Sequence, residues 1–278
     1  GRAVKYGVTG DYVLGMEVVT GAGELLRLGG KRIKDVTGYD LTSLFVGSEG
    51  TLGIITEVTL RLLPRPVART AVLGFVPEES VLKELTPALL RDLAGRPSAM
   101  ELADATCMRL LRELSKQWSW VPEGCGMLLV EFDGSDPATI TGFRDEAEAL
   151  MKGQGLIEIQ VSGTPLEFEE LWKLRKQVPW ALMRTSPYQT LEDVTVPVSQ
   201  AWPLIAATRR ITAETGVEIA NFGHLGDGNI HCTPIKPESS SVEEWHENSP
   251  EILRRRYRQA KALGVVRRFR PGVHHRIQ

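Results

Sequence analysis

Apolar positions along this chain switch between a period of two and a period near 3.6, and the switch points mark its elements. The runs "YVLGMEVV" (12–19) and "GELLRLG" (23–29), joined through "TGAG", predict an antiparallel hairpin. "KDVTGYDLTSLF" (34–45) predicts a helix start after Tyr39, and a strand pattern follows from Ile54. Pro64 and Pro66 close this glycine-rich, strand-rich segment. Beyond them strands are predicted at 70–76, 126–134, 156–163, 217–224 and 229–235. Helical patterns cover 78–95, interrupted by Pro87, then 103–117, 137–152, 164–185, 203–214 and 249–264. Thr164 is a cap for its helix, with Pro165 in the first turn. The short strand at 192–199 carries Pro197 and so reads as an edge. The whole predicts an α+β fold, an antiparallel sheet with helices packed on one face. Two domains are expected, 1–66 and 67–278, with the arginine-rich stretch 265–278 atypical of the second.

Composition narrows the function classes. Of the 278 residues, 42% are hydrophobic, enough for a buried core, and the net charge of -2 weighs against nucleic acid as a partner. No apolar run reaches the roughly 18 residues of a membrane span, and no signal peptide is evident. Cys107, Cys125 and Cys232 are scattered, which predicts free thiols in a reducing compartment. The chain lacks an initial Met and opens on a folded pattern, so upstream residues are expected.

Two stretches carry candidate chemistry. In "NFGHLGDGNIHCTP" (221–234), Asp227-Gly228 reads as the centre of a two-residue hairpin turn. Counting outward from it pairs His224 with His231, with β-carbons about 5 Å apart on one face. That spacing suits two ligands of one divalent ion. Glu218, Glu238, His274 and His275 are candidates for a third, and spacing favours none of them. The competing reading is a histidine pair bonded to backbone carbonyls. The other stretch, "VGSEGTLGIITEVTL" (46–60), places Gly47, Gly50 and Gly53 three apart. It is neither a P-loop nor a Rossmann fingerprint. Its glycines let a backbone approach a diphosphate or a heterocycle, and equally suit a plain turn between helix and strand.

"RAVKYGVTGDYVLGMEVVT", "KDVTGYDLTSLFVGSEGTLGIITEVTL" and "GHLGDGNIH" together resemble the FAD-dependent 2-hydroxyacid dehydrogenases, of the glycolate oxidase and D-lactate dehydrogenase type. The resemblance runs from residue 1 to about 264. It implies that 1–66 is the C-terminal part of a vanillyl-alcohol-oxidase-type FAD domain, the diphosphate-binding first half being absent, and that 67–278 covers the substrate. Tyr6, Gly7, Tyr39 and the loop Gly47, Ser48, Glu49, Gly50, Thr51, Gly53, Ile54 and Ile55 would then surround the flavin. His224 and His231 would bind zinc or manganese.

Arg175, in "LWKLRKQVP", would hold the substrate carboxylate, although spacing alone makes it a surface arginine bonded to Glu169 or Glu170. Oxidation of a small 2-hydroxy acid would pass a hydride to flavin and a proton to a histidine, with His231 the candidate. Relatives follow the position of "KALG" (261–264) with a Ser-Gly-Glu-His-Gly type motif that gives the third metal ligand and the base. Here "VVRRFRPGVHHRIQ" stands in its place, text of the kind a shifted reading frame produces. Electrons would leave through a separate iron–sulfur subunit. The expected location is cytoplasmic, peripheral to the inner face of the membrane through that partner.

Overall fold

The computed structural model describes residues 1–186, 188 and 193–264. Two compact units emerge: Tyr6–Arg65, and Gly1–Lys5 together with the chain from Pro66 onward. A single helical turn, α1 (Ala3–Tyr6), opens the chain.

In the smaller unit, β1 (Val13–Thr20) lies between β2 (Leu25–Gly29) and β3 (Gly53–Leu60), all antiparallel. The β1–β2 hairpin forms where the turn residues predict it, with Val19 opposite Leu25. The short helix α2 (Leu41–Phe45) starts at Asp40, whose carboxylate accepts a hydrogen bond from Ser43 N. Its Phe45 packs with Met16 and Val18 into a small core. Much of the apolar side chain on β3 is exposed, including Ile54 and Ile55.

The larger unit is built on a seven-stranded antiparallel sheet of order β7-β4-β6-β5-β9-β10-β8. The strands are β4 (Ala68–Val76), β5 (Ala99–Ala103), β6 (Gly126–Gly134), β7 (Ile157–Val161), β8 (Asp193–Thr195), β9 (Ile219–His224) and β10 (Asn229–Pro234). The helices are α3 (Leu82–Arg91), α4 (Ala105–Leu114), α5 (Pro137–Gly153), α6 (Pro165–Thr185), α7 (Ala201–Thr215) and α8 (Val242–Ala262).

The α+β class holds, but helices cover both faces of this sheet instead of one. Val72, Leu102, Val130 and Ile219 face one way and pack with α3, α5, α7 and α8. Ala71, Leu73, Leu129 and Phe222 face the other way and pack with α4 and α6. The physical reason is legible along β4 and β6, where nearly every residue is buried. A strand with one wet face would alternate, and these do not.

Local signals explain most boundaries. Thr164 and Glu167 form a reciprocal capping box at the start of α6, with Pro165 at its first position. Pro87 does not interrupt its helix: α3 begins only at Leu82 and runs through the proline. Leu82, Leu85 and Leu89 hold it to the core. The edge strand β8 ends before Pro197. Strand β5 has no counterpart in the predicted elements. "AMELA" is rich in helix formers, and burial on both faces overrides that propensity. The helix expected from residue 103 starts at Ala105 instead, capped by Asp104. No described helix is long and apolar enough to cross a membrane.

Candidate functional site

The candidate site lies on the α4/α6 face of the large sheet, where two cross-strand rows meet. Register aligns Glu101, His224, Asn229 and Thr195 in one row. It aligns Ala103, Phe222, His231 and Asp193 in the next. Alternation puts both rows on the same side.

The turn between the histidines differs from expectation. Leu225–Asp227 form a 3₁₀ turn closed by Gly228 at φ 75°, so the loop has four residues. Asp227 is not among the residues with positive φ. The reading of Asp227-Gly228 as a two-residue turn is therefore corrected, and with it the direct opposition of His224 and His231. His224 faces Asn229, and His231 faces Phe222. The offset is two residues, one full side-chain period, so both rings keep the same face and become diagonal neighbours. Their centroids are 5.6 Å apart with the planes at 80°.

Gly228 is tied to this turn by conformation and by space: a β-carbon there would come within 2.0 Å of Val196 O. Gly228→Ala is expected to cost at least about 1–2 kcal/mol in a denaturant titration, from the left-handed conformation alone.

A buried carboxylate organises the site. Glu101 Oε1 and Oε2 lie 2.8 Å and 3.0 Å from His224 Nδ1. Arg175 Nη2 is 3.0 Å from Oε2. The amino group of Gly1 is 2.6 Å from Oε1 and 2.6 Å from His224 Nδ1. Burial alone would push the Glu101 carboxyl up. The hydrogen bond from His224 and the positive charges of Arg175 and Gly1 outweigh it and hold the group below its usual range. His231 Nδ1 contacts Asp193 Oδ1 in the same way on the adjacent row. The Phe222 ring lies 4.8 Å from the His231 ring, and Arg175 Cζ is 5.2 Å from the Phe222 centroid.

The surface reading of Arg175 is overturned. Phe168, Leu171, Arg175, Val178 and Leu182 recur at helical spacing along the buried stripe of α6. Glu169 and Glu170 pair instead with Lys176 and Lys173 on the exposed side. Among the described residues, four polar atoms on α6 and β10 are buried without a hydrogen-bond partner: Trp172 Nε1, Arg175 Nε, Asn229 Oδ1 and Thr233 Oγ1. Such groups call for an explanation, and a bound polar ligand is one.

No group of three His, Cys, Asp or Glu side chains that could hold a metal exists among the described residues. Glu218 is engaged by Arg109 and Thr106, and His274 and His275 lie outside the described residues. The donor set of two imidazoles nevertheless fits a divalent cation, since each Nδ1 is engaged by a carboxylate and each Nε2 is left for a ligand.

Tyr6 O accepts a hydrogen bond from Tyr12 Oη, and Gly7 has φ 74° beside Asp11. Gly47, Glu49 and Gly50 all have positive φ in the turn joining α2 to β3. Ser48 O accepts from Thr51 N and Oγ1 there. A β-carbon at Gly47 or Gly50 would meet no atom within 4 Å, so the backbone of this turn is open to a ligand's approach. Gly53 has a packing reason instead, since a β-carbon would strike Val18 and Val19. Tyr39, Ile54 and Ile55 are exposed. An open glycine turn beside exposed apolar side chains fits a flat heterocycle.

Sequence reasoning missed Glu101 and Asp193. The alignment that reveals them is register, which places a carboxylate directly across from each histidine: Glu101 opposite His224, and Asp193 opposite His231.

Comparison with known proteins sets this geometry in a family. Residues 65–264 match the family described as FAD linked oxidases, C-terminal domain. The glycolate oxidase subunit GlcD of Bacillus subtilis (strain 168) is 35% identical over 256 residues, 91% of this chain and 53% of that protein. The D-lactate dehydrogenase of Anaerostipes hadrus is 33% identical, with 99% and 58% covered. The chain thus spans about half the length of the curated relatives it matches. Among solved structures, p-cresol methylhydroxylase with substrate bound superposes with a TM-score of 0.67 at 15% identity, covering 92% of this chain and 57% of that one. That likeness shows a shared vanillyl-alcohol-oxidase-type fold. The chain therefore belongs to the FAD-linked oxidases, in the 2-hydroxyacid dehydrogenase family.

Proposed function

We propose that this chain supplies the substrate-holding site and part of the flavin cradle of an enzyme that oxidises a small 2-hydroxy acid, of the glycolate or D-lactate type, to the 2-oxo acid. One observation carries the reading most directly. A buried guanidinium with an unpartnered Nε shares the Glu101 carboxylate with one imidazole of an adjacent pair. A guanidinium has donors to spare for a second carboxylate, and its planar fork suits both oxygens. Arg175 thus binds the carboxylate end of the substrate, and His224 and His231 hold zinc or manganese.

When bound, the flavin supplies the hydride acceptor and the cation lowers the pKa of an attached hydroxyl. The chain's own residues orient and desolvate. Arg175 and Trp172 on α6, and Asn229 and Thr233 on β10, carry these buried polar atoms. His231 is also the candidate base. Its Nε2 has one lone pair, which serves either a cation or the substrate proton at any moment. Tyr6, Gly7, Tyr39, Ser48 and Thr51 with the turn Gly47–Ile55 would contact the flavin. Electrons would pass to a separate iron–sulfur subunit. The described cysteines are buried singly, and burial pushes the Cys232 thiol up to about 12, far from a cluster ligand's ordinary state.

A second reading has a specific observation in its favour. Without a third protein ligand among the described residues, the chain would bind a metal or partner subunits and not turn over. Anaerobic addition of a panel of 2-hydroxy acids to flavin-loaded protein separates the two. Bleaching of the flavin by glycolate or D-lactate is expected. A preparation that binds these acids without bleaching supports the second reading.

A further inference from the structure

We propose that Glu101 and Asp193 are positioning residues that fix the tautomer of the two imidazoles, so that both present an Nε2 lone pair to the site. This rests on the reading of His224 and His231 as the ligand-holding pair. An ionised carboxylate only accepts hydrogen bonds, so a ring nitrogen against one carries the proton. His224 Nδ1 faces both oxygens of Glu101, at 2.8 Å and 3.0 Å. His231 Nδ1 faces Asp193 Oδ1.

One competing donor exists: the Gly1 amino group, 2.6 Å from His224 Nδ1. The same group is 2.6 Å from Glu101 Oε1, where its proton has an ionised acceptor, and two carboxylate contacts outweigh one amine at Nδ1. Glu101 does a second job, since its Oε2 also accepts from Arg175 Nη2. The imidazole and the guanidinium are thereby set by a single side chain whose own exposure is 1%. Strand register supports both placements, because Glu101 lies directly opposite His224, and Asp193 opposite His231. A neutral ring with Nδ1–H bound to a carboxylate is the form that offers Nε2 to a cation or to a proton.

Long-range ¹H–¹⁵N spectra of the ¹⁵N-histidine-labelled chain, with zinc titrations by calorimetry, test this on Glu101→Gln and Asp193→Asn. In the unaltered chain both rings are expected to carry the proton on Nδ1. Asp193→Asn is expected to mix the tautomers of His231 alone, and Glu101→Gln those of His224 alone. Zinc affinity is expected to fall about 10- to 100-fold in each. A proton on Nε2 in the unaltered chain overturns the proposal. So do variants that leave tautomer and affinity unchanged. If zinc fails to bind the unaltered chain, the metal part of the proposed function falls, while the ring spectra still decide this assignment. If Glu101→Gln fails to fold, the more exposed Asp193 decides it.

Discussion

Replacing Glu101 with alanine is expected to lower the stability of the chain by about 3–5 kcal/mol, the cost of stranding one member of a buried ion pair. Arg175 is the stranded partner. Its side chain is 8% exposed and its Nη2 bonds to Glu101. In the variant the guanidinium keeps its desolvation cost and loses its counter-charge. His224 loses its Nδ1 acceptor at the same time. Urea titration reads the effect as a lower midpoint. Glu169→Ala is the control, because Glu169 and its partner Lys176 are both more than half exposed. That pair is expected to contribute within about 0.5 kcal/mol. Equal losses at the two positions would contradict the burial argument.

The pH dependence has a definite sign. The folded Glu101 carboxyl is held below its usual range. Its contribution is therefore present above the unfolded value and lost as the pH falls through the folded value. The gap between the unaltered chain and Glu101→Ala should narrow in acid.

Arg175→Met is expected to weaken binding of glycolate or D-lactate roughly 10- to 150-fold, the equivalent of about 1.5–3 kcal/mol for hydrogen bonds to a charged group. Calorimetry on the zinc-loaded chain reads it. Methionine keeps much of the apolar stem on α6, so the loss reports the guanidinium and not packing alone. Arg175→Lys should not restore affinity, since a point charge cannot match both carboxylate oxygens while also reaching Glu101. Unchanged affinity in Arg175→Met would remove this residue from the substrate site.

Much of the scaffold is written in local chemistry. Thr164 and Glu167 announce α6, and the alternation in 12–29 announces the first hairpin. The histidine turn was legible in outcome but not in detail. Asp-Gly suits a two-residue turn, yet the chain takes a 3₁₀ turn with only Gly228 left-handed. The error is two residues of register, and a period of two forgives it, so the imidazoles still meet. Glu101 was hidden for a different reason. It lies in "AMELA", whose composition favours helix, and only the neighbouring strands make it a strand. Arg175 was ambiguous because its acidic sequence neighbours, Glu169 and Glu170, point away along the exposed side of α6. Nothing local to "LWKLRKQVP" says that a carboxylate 74 positions earlier will take the guanidinium. The arginine-rich stretch 265–278 lies outside the described residues.

The most direct test of the two-histidine site is anomalous diffraction at the zinc edge, from crystals of the chain grown with zinc and D-lactate. One peak is predicted, about 2.0–2.1 Å from a nitrogen of His224 and from a nitrogen of His231, with the lactate carboxylate on Arg175. Zinc bound elsewhere, with those two rings bare, would contradict it.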